Sequence, residues 1–220
     1  MSNKYSLAVF DLDGTVLDTL ADLAESTNFA LSRYGLPARS VDEVRRFVGN
    51  GIRLLIERAV PVGTEPSVID GVFGEFKSHY AVHCCDCTRA YDGVTELLCD
   101  LRAGGIKTAV VSNKADFAVK ELCERYFDGL FDIAVGEREG IRRKPAPDSV
   151  FEVMRSLSAT PSEAVYIGDS DVDIMTAKNA GTHCISVTWG FRDRDFLLAH
   201  GAYDLADNAD ELKRKILSMS

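Results

Sequence analysis

The sequence predicts an α/β protein in which a doubly wound parallel sheet carries an inserted all-helical cap domain. Short apolar runs of the kind that form buried strands recur along the chain, and each is followed by turn residues and a helical pattern. The first two runs lie about a hundred residues apart, whereas the later ones follow at the spacing of single crossover helices, so an insertion must fill the first gap. The expected core is Rossmann-like, with strands at Leu7–Phe10, Thr108–Val111, Ile133–Val135, Val165–Ile167 and Ile185–Val187.

Apolar residues open the insertion with the periodicity of an amphipathic helix. They recur at three- and four-residue spacing, and Gly35 followed by Pro37 is expected to end the helix. The residues that share this face are Leu17, Leu20, Leu23, Ala24, Thr27, Leu31 and Tyr34.

Further helical patterns complete the insertion. Ser40 followed three residues later by Glu43 is a capping box that opens a second helix, and residues 52–60 and 68–80 carry two more patterns. The sequence therefore predicts an α/β core of residues 1–16 and 88–220 and a helical cap of residues 17–87.

Residues typical of helix starts and helix ends also occur in the second half of the chain. Residues 92–102 form a helical segment that ends at Gly104-Gly105, and residues 171–180 form another that ends at Gly181. Thr160-Pro161-Ser162-Glu163 is a capping box with proline at the first helical position. Strands and helices thus alternate as a parallel sheet requires.

The charge of the chain excludes some classes of function. With 25 Lys and Arg residues against 34 Asp and Glu residues, the formal net charge is −9, and such a field repels nucleic acid and anionic membranes. Hydrophobic residues make up 46% of the chain and charged residues 27%, which is ordinary for a globular protein. The N-terminal residues contain no signal-peptide core and no membrane span, so we expect a cytoplasmic protein.

The cysteines are expected to be reduced thiols because no secretory signal accompanies them. His79 and His83 stand close in sequence to three cysteines, in a grouping that resembles a set of soft-metal ligands. No second ligand pair follows at the spacing of a zinc finger or ribbon, so a structural zinc site is not predicted. The role of this segment stays open; its cysteines are Cys84, Cys85 and Cys87.

Acidic residues follow the ends of two predicted strands. Asp11 and Asp13 come after the first strand and Asp169 after the fourth, at the carboxyl ends where an open parallel sheet binds its ligands. Alternate residues of an extended segment face the same side, so Asp11 and Asp13 can share a crevice, and Asp173 lies one helical turn beyond Asp169. Carboxylates this close repel unless a cation separates them, and oxygen ligands without histidine suit Mg²⁺ better than zinc.

Residues of other types beside these carboxylates suit a phosphate group. Ser112 and Asn113 follow the second strand, and Lys144 precedes the helix that leads into the fourth. A hydroxyl, a lysine and exposed main-chain amides beside Mg²⁺ make a phosphate site. A calcium loop at residues 169–173 is the rival interpretation, but Ile174 stands where its sharp turn needs glycine.

Four short motifs stand in a fixed order along the chain, namely Asp11-Leu12-Asp13-Gly14-Thr15, Ser112-Asn113, Lys144-Pro145 and Gly168-Asp169-x-x-x-Asp173. This set resembles the haloacid dehalogenase-like hydrolase superfamily over essentially the whole chain. The helical insertion after the first motif is similar to that superfamily's helical cap of the first type. The finer resemblance is to its phosphoglycolate phosphatase-like branch, and it is carried by Phe47-Val48-Gly49-Asn50-Gly51, Ile56-Glu57-Arg58-Ala59 and Ser112-Asn113-Lys114.

The resemblance implies a phosphatase that hydrolyses small phosphate monoesters through an aspartyl-phosphate. It implies that Asp11 attacks phosphorus, and that Asp13 protonates the leaving oxygen and then activates water. An aspartate at the second position also favours phosphoryl chemistry over carbon–halogen chemistry, because the superfamily's dehalogenases lack an acid there.

The same resemblance implies the ligands of Mg²⁺ and of phosphate. The metal would be held by the Asp11 carboxylate, the Asp13 main-chain carbonyl and the Asp169 carboxylate, with Asp173 in support. The non-bridging phosphate oxygens would be neutralised at Ser112, Asn113 and Lys144.

The sequence predicts the substrate less narrowly than it predicts the reaction. Our first expectation is 2-phosphoglycolate, whose carboxylate Arg45, Arg46 and Arg53 of the cap could contact, although arginines on amphipathic helices usually face water. The alternatives are a phosphomutase of the β-phosphoglucomutase kind, a pyrophosphatase or nucleotidase of the same superfamily, and a catalytically silent binding protein on the same fold. For each of these enzymes the expected binding partner is a small phosphorylated metabolite. The sequence does not indicate the oligomeric state.

Overall fold

The computed structural model describes residues 4–49 and 51–217 of the chain. The chain forms two compact units. The first, which we call the core unit, consists of Met1–Leu17 and Ala90–Ser220, and the second, the cap unit, consists of Asp18–Arg89. The sequence predicts these two boundaries after residues 16 and 87.

The core unit is built on a six-stranded sheet in which the strands pair in parallel. In chain order the strands of the protein are β1 (Leu7–Phe10), β2 (Leu17–Asp18), β3 (Arg89–Ala90), β4 (Lys107–Ala115), β5 (Ile133–Glu137), β6 (Ala164–Gly168), β7 (His183–Val187) and β8 (Leu205–Ala206). The order across the sheet is β5-β4-β1-β6-β7-β8, while β2 and β3 pair in a separate two-stranded sheet. The predicted α/β class with a parallel sheet is confirmed.

The central strands are buried on both faces, which explains their continuous apolar sequences. All four residues of β1 are at most 1% exposed, and all five residues of β6 are buried. Helices cover both faces of a parallel sheet, so such strands carry no polar face. The predicted strands at 7–10, 108–111, 133–135, 165–167 and 185–187 all lie within observed strands.

The strand order places the carboxyl end of β1 at a topological switch point. From β1 the sheet extends through β4 to β5 on one side and through β6 and β7 to β8 on the other. In open α/β sheets the ligand crevice lies at the carboxyl ends of the strands where the order reverses. Asp11 and Asp169 lie one residue beyond the ends of β1 and β6, and Ser112 is one of the last four residues of β4.

The cap unit is all-helical in its described residues apart from its strand ends. Its helices are α1 (Leu20–Arg33), α2 (Val41–Phe47), α3 (Ile52–Ala59) and α4 (Pro66–His83). The predicted capping box at α2 is confirmed, because the Glu43 main-chain N–H donates to Ser40 Oγ and the Ser40 N–H donates to the Glu43 carboxylate. Gly35 follows α1 with a φ of 64°, a left-handed conformation that suits glycine after a helix.

The helices of the core unit connect its strands. They are α5 (Val94–Ala103), α6 (Asp116–Phe127), α7 (Asp148–Ser156), α8 (Asp171–Ala180), α9 (Arg194–Ala199) and α10 (Ala209–Leu217). The predicted end of α8 at Gly181 is confirmed. Within the described part of the chain, none of the helices combines the length and the apolar character that crossing a membrane would take.

One predicted helix start is wrong, and the predicted capping box at Thr160 is confirmed on a 3₁₀ helix. Leu17 does not lie on the face of α1, because the backbone of Leu17–Asp18 forms β2 and the helix begins only at Leu20. The segment at Thr160 forms a single 3₁₀ turn, Pro161–Glu163, because the chain enters β6 at Ala164. There the Glu163 carboxylate accepts hydrogen bonds from the Thr160 N–H and hydroxyl, so the capping contact forms without a following helix.

The soft-metal grouping in the cap unit does not assemble. The six cysteines all lie in the described residues and are free thiols. His79 bonds to Ser26 and stacks on Phe29, and His83 pairs with Asp86. Among the described residues, the sole cluster of three potential metal ligands lies elsewhere, in the core unit.

The buried carboxylate of Asp22 binds the segment of the cap unit that connects α4 to β3. Asp22 of α1 is 1% exposed and accepts hydrogen bonds from the main-chain N–H groups of Cys87 and Thr88, at 2.8 and 2.9 Å, and from the Thr88 hydroxyl at 2.7 Å. Buried main-chain donors are costly when they lack an acceptor. Asp22 therefore ties the returning chain to the first helix of the cap unit.

Replacing Asp22 with alanine should destabilise the protein by about 2 kcal/mol, because two buried N–H groups and one hydroxyl lose their acceptor. The free energy of unfolding can be measured by urea denaturation followed by circular dichroism. Asp42→Ala, at an exposed position in the first turn of α2, is the matched control and should change that free energy by less than about 0.5 kcal/mol. Equal effects of the two substitutions would contradict this account of Asp22.

Candidate active site

The Lys144 ammonium group lies between two carboxylates at the carboxyl edge of the sheet. Its Nζ is 2.7 Å from Asp11 Oδ1 and 2.8 Å from Asp173 Oδ1. The Asp11 main-chain N–H donates to the Ile167 carbonyl of β6, which continues the pairing of β1 with β6 and sets the position of Asp11. Burial alone would lower the pKa of Lys144, but the Asp11 and Asp173 carboxylates outweigh it and hold that pKa well above its usual range.

Three carboxylates converge at this point. Asp11, Asp169 and Asp173 each offer an oxygen, and these atoms lie within 4.8 Å of one another. Burial, with the Asp173 charge as the next cause, raises the pKa of Asp11 to about 7, and the same two causes raise the pKa of Asp169 well above its usual range. The fold thus holds these carboxylates closer together than like charges would lie in water.

Asp169 is fixed by the backbone that surrounds it. Its Oδ2 accepts a hydrogen bond from the Phe191 main-chain N–H at 2.7 Å, and its Oδ1 accepts one from the Thr15 hydroxyl at 3.3 Å. Gly14, with a φ of 87°, and Gly190 pack so closely against Asp169 that a methyl group on either would overlap it. Two hydrogen bonds and the close approach of two glycines thus restrict the position of the carboxylate.

Asp173 is hydrogen-bonded through both of its oxygens. Oδ1 accepts from Lys144 and from the Tyr166 hydroxyl, and Oδ2 accepts from the Ser170 N–H and from the Ser170 hydroxyl at 2.6 Å. With its acceptors engaged in this way, Asp173 is suited to supporting Lys144. Its predicted place behind the metal ligands stays a prediction.

Tyr166 is a member of this cluster that the sequence analysis did not identify. Its hydroxyl accepts a hydrogen bond from Lys144 Nζ at 3.1 Å and lies 3.2 Å from Asp173 Oδ1, in a fully buried setting within β6. A tyrosine inside an apolar strand reads as a core residue, and no sequence signal shows that its hydroxyl faces a charged cluster. The loop of Gly190 and Phe191 was also missed, because no motif marks it.

Asp13 faces a different cation. Its carboxylate is not part of the three-carboxylate cluster, and Lys114 Nζ lies 2.8 Å from its Oδ1. The first two aspartates of the chain, although separated by one residue, are therefore in different electrostatic surroundings. The predicted coordination of a metal by the Asp13 main-chain carbonyl stays a prediction.

The Asn113 side chain holds the main chain of Lys144. It donates from Nδ2 to the Lys144 carbonyl at 3.1 Å and accepts at Oδ1 from the Lys144 N–H at 2.8 Å. Both ends of the side-chain amide are used in this way, and the predicted binding of phosphate at Asn113 stays a prediction. Ser112 is buried at the same strand end, and its Oγ accepts from the Lys114 N–H at 3.1 Å.

The cap arginines are exposed or engaged within the cap unit. Arg45 and Arg46 lie on exposed positions of α2. Arg53 pairs with Glu57 and with Asp70 in the cap unit. A substrate role for these three arginines stays a prediction, and Asn50 of the Phe47–Gly51 motif lies outside the described residues.

The cluster suits a small divalent cation. Asp11 and Asp169 present hard oxygen donors, without nitrogen or sulfur among them, and Mg²⁺ prefers such donors. Burial, with the neighbouring carboxylate charges as the next cause, raises the pKa of both groups, and the nearby oxygens are an arrangement that a bound cation would stabilise. The residues present therefore fit the metal that the sequence motifs imply.

Comparison with known proteins agrees with this geometry. The family model described as haloacid dehalogenase-like hydrolase matches residues 8–187. The chain is 33% identical to a phosphoglycolate phosphatase from Pseudomonas putida, over 84% of this chain and 70% of that protein. It is 32% identical to a phosphoglycolate phosphatase from Mannheimia succiniciproducens, over 97% of this chain and 99% of that protein.

A solved structure supports the same assignment. A candidate phosphoglycolate phosphatase from Lactobacillus delbrueckii subsp. bulgaricus superposes with a TM-score of 0.94 at 38% identity, over 98% of this chain and 100% of that one. The match of the family model covers all four motifs that meet at the sheet edge. This chain belongs to the haloacid dehalogenase-like hydrolase family.

Proposed function

We propose that this protein is a Mg²⁺-dependent phosphatase that hydrolyses small phosphate monoesters through an aspartyl-phosphate on Asp11, with 2-phosphoglycolate as its substrate. The observation that carries the proposal is the buried pair of Asp11 and Lys144, 2.7 Å apart beside Asp169 at the switch point of the sheet. A phosphatase of this kind needs a carboxylate nucleophile, a cation for the phosphate oxygens and a metal site in one place.

Asp11 is the nucleophile of the proposed reaction. One of its carboxylate oxygens attacks phosphorus, and the bond between phosphorus and the ester oxygen breaks as the acyl phosphate forms. The ion pair with Lys144 fixes the side chain for this attack.

Asp13 handles the protons. It gives a proton to the departing alkoxide in the first step, and in the second step it takes a proton from the water that attacks the acyl phosphate. The structure supports a separate role for it because Asp13 lies outside the carboxylate cluster and pairs with Lys114.

Ser112 and Lys144 neutralise the phosphate oxygens. Lys144 is held from three directions, by Asp173, by the Tyr166 hydroxyl and through its main chain by Asn113. Positioning and charge stabilisation do most of the work in phosphoryl transfer, so a lysine held in this way suits the task.

The metal would be held by the Asp11 and Asp169 carboxylates and the Asp13 main-chain carbonyl, with Asp173 in support. When bound, Mg²⁺ supplies positive charge that offsets these carboxylates and the oxygens of the transferring phosphoryl group. Asp169 is pre-positioned for this by Phe191 and Thr15.

The proposed substrate is a small phosphorylated carboxylic acid. Relatives at 32–33% identity carry the name phosphoglycolate phosphatase, which supports 2-phosphoglycolate. The free thiols fit the proposed cytoplasmic location.

A panel of phosphate compounds tests the proposed function. With Mg²⁺ present, we expect 2-phosphoglycolate to give the highest kcat/KM among 2-phosphoglycolate, pyrophosphate, nucleoside monophosphates and sugar phosphates, measured by phosphate release. The panel includes haloacids, which should not react, and β-glucose 1-phosphate, which should not be isomerised. A preference above about 100-fold for nucleotides or pyrophosphate would contradict the assigned substrate. Isomerisation without phosphate release would replace the phosphatase with a mutase, and no turnover of any compound would favour a binding protein.

Removal of the metal should abolish turnover. After dialysis against a chelator we expect phosphate release to stop and to return when Mg²⁺ is added, while Ca²⁺ added with Mg²⁺ should inhibit. Ca²⁺ prefers more ligands and a looser geometry, so it should bind and misplace the nucleophile. A urea unfolding curve of the chelated protein serves as the control for folding. Full activity after thorough chelation would rule out the metal.

Asparagine substitutions should separate the roles of the two catalytic aspartates. Asp11→Asn removes the nucleophile and should lower kcat by at least about 10⁴-fold for every substrate. Asp13→Asn keeps the nucleophile, so it should slow alkyl phosphates far more than aryl phosphates, whose leaving groups need less protonation.

The same pair of variants gives a covalent readout. With an aryl phosphate, Asp13→Asn should accumulate the acyl phosphate, seen by mass spectrometry on the peptide that contains Asp11. Asp210→Asn, 88% exposed on α10, is the control and should behave as the wild type. The roles are wrong if Asp13→Asn loses both substrate types in equal proportion and traps nothing, or if phosphate is found on another residue.

A further inference from the structure

We infer that Trp189 is a positioning residue for the proposed metal ligand Asp169, because its indole N–H holds the main chain of Thr15 and the Thr15 hydroxyl holds the carboxylate. The inference rests on the proposed Mg²⁺-dependent function, and it adds a side chain that lies outside the four sequence motifs. It predicts that the affinity for Mg²⁺ depends on a residue that is not one of the proposed ligands.

The sheet places the loop of Trp189 beside Asp169. β6 and β7 are parallel neighbours in which Gly168 pairs with Ser186, so the residues that follow the two strands lie side by side. Asp169 directly follows β6, and Trp189 is the second residue after β7. The loop that begins at residue 188 therefore lies at the edge of the sheet where the three carboxylates converge.

This loop contacts the Asp169 carboxylate by two routes. The direct route is the Phe191 main-chain N–H, which donates to Asp169 Oδ2 at 2.7 Å. The indirect route starts at Trp189, whose Nε1 donates to the Thr15 carbonyl at 3.0 Å, and continues through the Thr15 hydroxyl, which donates to Asp169 Oδ1 at 3.3 Å. One loop thus holds both oxygens of a single carboxylate.

The indole group is suited to holding Thr15. This residue is only 1% exposed, so its main-chain carbonyl needs a hydrogen-bond donor within the protein. The indole N–H donates and cannot accept, so its contact with a carbonyl has one possible direction. The contact of the Thr15 hydroxyl with Asp169 is longer than a usual O–H···O bond. A small displacement of Thr15 would therefore break it.

A second contact fixes the same segment of the chain. The Tyr91 main-chain N–H donates to the Val16 carbonyl at 3.1 Å, next to the carbonyl that Trp189 holds. The Tyr91 ring also lies against the indole, with ring centroids 6.4 Å apart and an angle of 55° between the ring planes. Trp189 and Tyr91 thus hold consecutive carbonyls of the segment that carries the Thr15 hydroxyl.

Asp169 needs such support because of its charged neighbours. An oxygen of its carboxylate lies within 4.8 Å of oxygens of Asp11 and Asp173, and like charges that are buried together repel. Without the hydrogen bond to Oδ1, the carboxylate would turn away from the cluster and lose its alignment for a shared cation. Removing a group that orients a metal ligand lowers metal affinity by about 10- to 100-fold. The indole N–H of Trp189 should therefore raise the affinity for Mg²⁺.

Calorimetric titration of the full chain with Mg²⁺ tests the inference without substrate. The protein is dialysed against a chelator and then into metal-free buffer, and the Kd for Mg²⁺ is measured. Trp189→Phe keeps an aromatic ring and removes the N–H, so it should raise the Kd by about tenfold. Tyr203→Phe, which removes a hydroxyl from an exposed ring of the core unit, is the matched control and should leave the Kd unchanged. Circular dichroism checks that each variant is folded.

A double variant tests the route through Thr15. Thr15→Val removes the hydroxyl and keeps the shape of the side chain, so it should also raise the Kd for Mg²⁺. Because Trp189 is inferred to act through Thr15, Trp189→Phe should raise the Kd of Thr15→Val by less than about twofold. A further rise of about tenfold in that background would overturn the inference, since independent effects multiply.

The wild type supplies a measurement that does not depend on the folding of a variant. Trp189 is the one tryptophan of the chain, so a ¹⁵N-labelled sample gives a single indole N–H resonance. This resonance should shift as Mg²⁺ is added, with the midpoint that calorimetry gives. An unshifted resonance at saturating Mg²⁺, or a wild-type Kd in folded Trp189→Phe, overturns the inference and leaves the proposed function standing. If the wild type binds no Mg²⁺ in calorimetry, the proposed Mg²⁺-dependent function has itself failed.

Discussion

The candidate active site depends on the mutual repulsion of carboxylates that the sheet brings to one edge. Asp11, Asp169 and Asp173 are buried together, and in a medium of low polarity their charges interact far more strongly than in water. Lys144 is the buried cation that offsets them. Removing one member of such a group leaves an uncompensated charge, so the geometry holds only if Lys144 cannot move. The Asn113 amide, the Tyr166 hydroxyl and the Ser170–Asp173 contact all serve that end.

The sheet order explains why the two neighbouring aspartates differ. β1 lies between β4 and β6, so its carboxyl end is flanked by residues from both strands. Asp11 joins the cluster of Asp169 and Lys144, whereas Asp13 pairs with Lys114 of β4. One residue of separation along the chain is enough to give the two carboxylates different cationic partners, Lys144 for Asp11 and Lys114 for Asp13.

The sequence predicts the frame of the molecule well because its central strands are continuous apolar runs and its catalytic motifs follow them directly. β1 and β6 are apolar throughout because both faces are covered, and the aspartates stand out after them. Features that depend on tertiary contacts were not predictable. The two residues of β8 are too few to show a pattern, and Tyr166 is indistinguishable in sequence from a core aromatic residue. The sequence also cannot show that both ends of the Asn113 side-chain amide meet the main chain of Lys144.

Asp169 lies between Gly14 and Gly190, neither of which leaves room for a methyl group beside it. The position of the Asp169 carboxylate therefore depends on two residues that have a hydrogen atom in place of a side chain. These two glycines carry no side-chain charge and take no part in bond making. A methyl group on either α-carbon would overlap Asp169, so the carboxylate or the backbone beside it would have to shift. Glycine is therefore the residue that these two positions accept without rearrangement of the site.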